Sequence, residues 1–294
     1  MTRFFSRMLF SRLAFCLALF AAAPCIAQGL SILDESPDHL RKYNECMNLA
    51  RAEPLKALPV AEKWHAQGGG MAARHCVATA MFGAGRFTQA AAQFEAIARD
   101  MGKERPGLRA ELWAQAGQAF MEAGLPEKAA EAQSRALELN AKDADLWLDR
   151  GLSFAALKAW PRAISDFDRA LGLRRDDVEI LVLRAAAWRN AGNPAKAYED
   201  ASRALKVAPD HSEALLERGF ASLARGDRSS ANLDFSAVLA WCRPARAPRT
   251  APKRGCAASS RRLPRRFPPR HKLFHRGVGG RSSVPVTPDV RADR

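Results

Sequence analysis

Residues 144–177 read ADLWLDRGLSFAALKAWPRAISDFDRALGLRRDD, and residues 178–211 read VEILVLRAAAWRNAGNPAKAYEDASRALKVAPDH. These are two copies of one 34-residue pattern. Trp147, Gly151, Phe154, Ala163, Phe167 and Ala170 in the first copy stand where Leu181, Ala185, Trp188, Ala197, Ala201 and Ala204 stand in the second. Self-similarity at this period marks a stacked array of helical hairpins, each too small to bury its own apolar face.

The period extends outward from this pair. Residues 110–143 carry Trp113, Gly117, Phe120, Ala129 and Ala136 in register, and residues 212–241 carry Leu215, Gly219, Ala231, Phe235 and Leu239. Residues 109–241 therefore form the repeat region, with a leucine column at Leu137, Leu171, Leu205 and Leu239 closing each second helix. Residues 28–108 read as degenerate hairpins. Asp38 to Ala50 and a helix opened by Pro54 make the first, ended by Gly68-Gly69-Gly70. With no strand before it and no GKS or GKT after it, this triplet reads as a helix stop and not as a phosphate cradle. Met71 to Phe82 and Arg86 to Arg99 make the second, and the spacing from Gly85 to Gly124 puts about five extra residues into 100–107.

Small residues at Gly117, Gly151, Ala185 and Gly219 let paired helices approach, and Ala129, Ala163, Ala197 and Ala231 do so from the second helix. Asp143 and Asp177 are placed to cap the helices that follow. Glu111, Asp145, Glu179 and Glu213 fall in first turns, where the helix dipole favours acids and by itself explains them, a ligand surface being the alternative. One pairing is sharper. Arg150, Arg184 and Arg218 precede the small residue, and Asp166, Asp200 and Asp234 follow 16 residues later, whereas the hairpin before them has Ala116 and Ala132, lacking both members together. Joint presence and joint absence predict an Arg–Asp ion pair inside each of three hairpins, with a structural role.

The charge is unevenly distributed. The chain has 46 Lys and Arg against 31 Asp and Glu. Three of the basic residues (Arg3, Arg7, Arg12) lie in the first 27 positions and 15 lie from Arg243 onward, leaving 28 basic against 29 acidic residues over 28–241. The high pI is a property of the ends and gives no reason to expect nucleic-acid binding by the repeats. Residues 1–27 read as an export signal: three arginines, the apolar run Leu13 to Ala23, and small residues at Cys25 and Ala27 for cleavage after Ala27. An acyl anchor on Cys25 and an uncleaved anchor are the alternatives. Export predicts a periplasmic chain, with no membrane-spanning segment after cleavage. In that oxidising compartment Cys46 and Cys76, 30 residues apart on neighbouring first helices, are candidate disulfide partners, buried free thiols being the alternative. Residues 242–294 are Arg/Pro-rich, with only Asp289 and Asp293 as acids and no apolar period, a composition expected to be disordered. They read as shifted-frame translation, a basic arm for nucleic acid or anionic lipid, or an inert tail.

No catalytic constellation appears. His39, His65, His75 and His211 are scattered, adjacent His75 and Cys76 point about 100° apart on a helix and cannot share a metal unaided, and no Walker loop, nucleophile elbow or dinucleotide fingerprint occurs. The residues predict no enzyme, metal or cofactor.

The positions over 109–241 resemble the tetratricopeptide repeat family. The resemblance implies an all-α, right-handed superhelical solenoid of antiparallel helix pairs whose first helices line a concave groove for a peptide or partner protein. Members that grip chaperone C-termini use a Lys/Asn/Arg clamp on the first helices. Those places carry Ala114, Gln118, Asp149, Glu179 and Leu183 here, so that mode is not expected. The groove candidates are Gln118, Leu148, Leu152, Val182, Arg189, Leu216 and Phe220. The function expected is a non-enzymatic interaction scaffold of the bacterial envelope. The alternatives are an accessory subunit of an envelope complex whose convex side and first two hairpins make a permanent contact, or a nucleic-acid or anionic-surface binder acting through the tail.

Overall fold

A computed structural model describes residues 36–242. Residues 1–27, expected to be an export signal, and the tail from Arg243 lie outside the described residues, as do Cys16, Cys25 and Cys256. The first compact unit ends at Val238, and of the second unit, Leu239–Arg294, only the last residues of one helix are described.

Twelve α-helices and no strand occur among the described residues, paired into six antiparallel hairpins. They are α1 (Pro37–Ala52) with α2 (Pro54–Ala66), α3 (Gly70–Gly83) with α4 (Phe87–Asp100), and α5 (Pro106–Glu122) with α6 (Pro126–Leu139). Then follow α7 (Ala144–Ala156) with α8 (Trp160–Leu173), α9 (Val178–Asn190) with α10 (Pro194–Val207), and α11 (Ser212–Ala224) with α12 (Arg228–Cys242).

Local chemistry sets these boundaries. Ser36, Asp143, Asp177, Asn193 and His211 each accept a hydrogen bond from a first-turn amide of the helix they precede. Proline opens α1, α2, α5, α6, α8 and α10, where a missing N–H costs nothing. Inside each of the last four hairpins the chain turns through a left-handed residue, and the next amide reaches back to a first-helix carbonyl: Leu125 to Phe120, Ala159 to Phe154, Asn193 to Trp188, Asp227 to Ser222. Glycine holds that position at 124, 192 and 226, but α7–α8 uses Lys158 at φ +58°.

The five extra residues near position 100 do not form a loop alone. Most of them lengthen α5, which has 17 residues against 13 in α7, α9 and α11 and starts at Pro106, before the repeat boundary at 110. Helix-compatible residues after Pro106 allow an extra turn, which spares the backbone an unpaired excursion.

Within a hairpin the helices meet at the small residue. A Cβ added to Gly151 would lie 2.6 Å from Phe167 Cε1, and one added to Gly219 would lie 2.6 Å from Phe235 Cε1. The equivalent of Gly151/Phe167 in the next hairpin is Ala185/Ala201, both fully buried, so a methyl gained on one helix is matched by a ring lost on the other. Ala129, Ala163, Ala197 and Ala231 are buried as well.

Between hairpins each second helix packs on the next first helix, burying Leu137, Leu171 and Leu205. The column ends there. Leu239 is 64% exposed, because no described helix follows α12 to cover it. First helices also touch one another, α1 with α3, α5 with α7 and α9 with α11, and no two successive second helices do so to the same extent. The first helices therefore form the inner, more closely spaced layer of the first unit.

Candidate functional site

The wall of first helices is held by two sets of contacts at the repeat period. The first is a planar fork. Arg150 donates from Nε and Nη2 to the two Asp166 oxygens at 2.8 and 2.9 Å, Arg184 to those of Asp200 at 2.8 and 2.6 Å, and Arg218 to those of Asp234 at 2.9 and 2.6 Å. Each aspartate is buried. The remaining guanidinium edge reaches back to the preceding hairpin, Arg150 Nη1 to Ser134 Oγ at 3.1 Å and Arg184 Nη1 to Asp168 at 2.6 Å. One arginine thus ties three helices together. Burial alone would lower the Arg184 pKa, but the hydrogen bonds and charges of Asp200 and Asp168 raise it above the usual arginine value. At the equivalent position before Arg218 stands Ser202, whose buried hydroxyl finds no partner.

The second set escaped sequence reading. Lys128 sits over Phe120 at 5.8 Å, Arg162 over Phe154 at 3.8 Å and Lys196 over Trp188 at 4.1 Å, each a cation from the second helix on the last-turn aromatic of the first. Both members recur every 34 residues and vanish together as Ser222 and Ser230, the same signal that exposed the forks.

The structure does not leave all groove candidates accessible. Leu148, Leu152 and Val182 are 1%, 6% and 9% exposed and belong to the core. Arg189 is not a free cation either: it forms a fork on Glu217 of α11 at 2.8 and 3.2 Å and lies 5.4 Å over the Phe220 ring. Gln118 and Leu216 are half-buried. Phe220, in the same register as Leu152, is 43% exposed, and its ring is braced by Phe235 at 5.3 Å. Sequence reasoning missed Leu223, one turn further along α11 and also exposed. Its apolar character at i+3 from Phe220 was the available signal.

Toward the N-terminal end the wall is closed. Cys46 and Cys76 form a disulfide joining α1 to α3, with Cα atoms 6.2 Å apart. Beside it the buried His75 bridges three first helices. Its Nε2–H donates to Gln115 Oε1 at 2.9 Å, and its Nδ1 accepts from the Tyr43 hydroxyl at 2.9 Å. Burial lowers the His75 pKa to about 4, against a smaller opposing effect of the Gln115 hydrogen bond. Burial also raises the Tyr43 pKa, and with Asp143 nearby it raises that of Glu111. Among the described residues no three His, Cys, Asp or Glu side chains gather as a metal site requires. No described helix is long and apolar enough to cross a membrane.

Comparison with known proteins agrees with this geometry. The family model described as Tetratricopeptide repeat matches residues 78–143 and 114–178. A crystal structure of MamA superposes with a TM-score of 0.51 at 20% identity, covering 56% of this chain and 93% of that one. The structure of YrrB, titled a TPR protein with an unusual peptide-binding site, gives 0.48 at 17% identity over 57% of this chain and 84% of that one. No curated protein sequence matches. At such identities the MamA likeness is one of fold; the matched family model and the 34-residue register agree that residues 78–178 are tetratricopeptide repeats.

Proposed function

We propose that this chain is a non-enzymatic scaffold that holds a peptide or partner protein against its inner wall, and that it works in the bacterial periplasm. Tetratricopeptide repeats generally serve as interaction scaffolds. The observation that carries the reading is the state of the wall itself. The arginines of α7, α9 and α11 are committed to forks, while Phe220 and Leu223 stand exposed on α11. A braced aromatic on a preorganised surface is the kind of anchor that recognition uses. The Cys46–Cys76 bridge supports an oxidising compartment, as does the Arg-then-apolar pattern of residues 1–27.

The test is site-specific photocrosslinking in the native host. A photoreactive residue at Gln118 or Phe220 is expected to capture one defined partner, and the same residue at Glu131 or Glu199, on the outer helices, is not. Equal capture from both faces would refute the reading. The compartment is tested by a reporter active only after export.

A second reading, an accessory subunit of an envelope complex, is favoured by Leu40, Leu55 and Val60, which are exposed on the first hairpin. It predicts that Leu55→Lys with Val60→Lys releases the partner while changes at Phe220 and Leu223 do not.

A further inference from the structure

The exposed face of α11 is more specific than a generic apolar surface. Leu216, Phe220 and Leu223 fall at i, i+4 and i+7, so they share one side of the helix. Leu223 is 47% exposed, and Phe220 is held from behind by Phe235 and Arg189. Glu213 and Glu217 stand on the same helix; beyond its end the exposed Arg225 turns to the Tyr198 ring of α10, and Asp227 bonds Ser229 and Ser230 of α12.

The charge around it is one-sided. Helices α5, α7, α9 and α11 contain no lysine. Every arginine of α7, α9 and α11 is already bonded to a carboxylate: Arg150, Arg184 and Arg218 to the second helices, Arg189 to Glu217. Glu122, Glu179 and Glu213 stand exposed on the same helices; Glu213 accepts from the Ser212 hydroxyl at 2.8 Å and lies 3.6 Å from His211, which is a counter-charge only when protonated. The inner wall is thus acidic around an apolar strip. An acidic ligand would bring like charges together, whereas a cationic one is steered in and oriented.

We infer that the α11 face takes a basic amphipathic segment of a partner protein. Its leucine-class side chains lie against Leu216, Phe220 and Leu223, and its lysines or arginines reach Glu179 and Glu213. This rests on the scaffold reading above and adds the chemistry of the occupant. The mode is an amphipathic segment laid along an apolar strip, with charge fixing its orientation.

The experiment uses the full-length protein and two labelled helix-forming peptides, one of leucine and lysine, the other with glutamate for lysine, followed by fluorescence anisotropy. The binding that counts is the part removed by Leu223→Ser. The lysine peptide is expected to bind with an affinity that falls with salt. Glu179→Gln with Glu213→Gln should weaken it about fivefold, two exposed charge contacts each being worth at most about fivefold. Glu131→Gln with Glu199→Gln, on the outer helices, should leave it unchanged. If both peptides bind equally and Leu223→Ser releases both, the basic preference is refuted while the wall reading survives. If neither binds and Leu223→Ser instead splits a dimer in sedimentation, the strip is covered by a second copy and the inference is overturned. If neither binds and the protein is monomeric, the inference falls together with the wall reading.

Discussion

Replacing Arg184 by methionine isolates the fork that joins α9, α10 and α8. The substitution keeps the length and much of the apolar stem but removes both donors from Asp200, whose side chain is only 9% exposed, and the 2.6 Å contact to Asp168. Asp168 is half exposed and rehydrates, so its share is small, about 0.5 kcal/mol. Asp200 does not rehydrate. A carboxylate left buried without its partner costs about 3 to 5 kcal/mol, and the low end applies here because the arginine side chain retains 17% exposure. Arg184→Met should therefore cost about 3 kcal/mol. The double variant Arg184→Met/Asp200→Leu removes both charges and should cost about 1 kcal/mol or less, because a buried pair is often replaceable by apolar groups of similar volume. Urea unfolding followed by circular dichroism measures both, with an unchanged slope as the condition for comparing them. A single-variant cost below about 1 kcal/mol, or a double variant costing the sum of the two singles, would refute the account of the fork.

Three further outcomes follow from other contacts. Ala201→Phe should destabilise by about 2 kcal/mol, because the Ala185 methyl occupies the space that Gly151 leaves for Phe167, and adding Ala185→Gly should restore most of the loss in the same unfolding assay. Lys158→Gly should stabilise by about 1 kcal/mol, since Lys158 holds a left-handed turn position that glycine occupies in the neighbouring hairpins, and thermal unfolding reads the gain. His75 is neutral when folded and its pKa lies near 4, below the ordinary 6.5. The unfolded chain therefore takes up a proton first as pH falls through that window, and about 3 kcal/mol of stability should be lost by pH 4. His75→Gln should show a shallower loss over the same range.

The elements that repeat are legible in the sequence by itself. The Arg150, Arg184 and Arg218 forks stand out because Ala116 and Ala132 lose both members at once, and such joint substitution reports contact without geometry. The cation–aromatic set at Lys128, Arg162 and Lys196 obeys the same logic and is equally accessible. The groove residues are different. Leu152 and Phe220 occupy the same register position, yet one is core and the other is surface. A period tells which side of a helix a residue lies on, but not how closely the next helix approaches. Leu239 shows the same limit at the end of the leucine column. Tyr43 and His75 come from hairpins whose pattern is too degenerate to align with the hairpin that holds Gln115, so nothing in their spacing joins the three.

The placement of the first helices in the inner, closer-spaced layer underlies every functional statement above. Double electron–electron resonance tests it directly with two spin-label pairs, each spanning two hairpins at exposed, register-equivalent sites: Glu122 with Asn190 on first helices, and Glu131 with Glu199 on second helices. The inner pair should give a clearly shorter mean distance than the outer pair. Equal distances, or a shorter outer one, would contradict that placement.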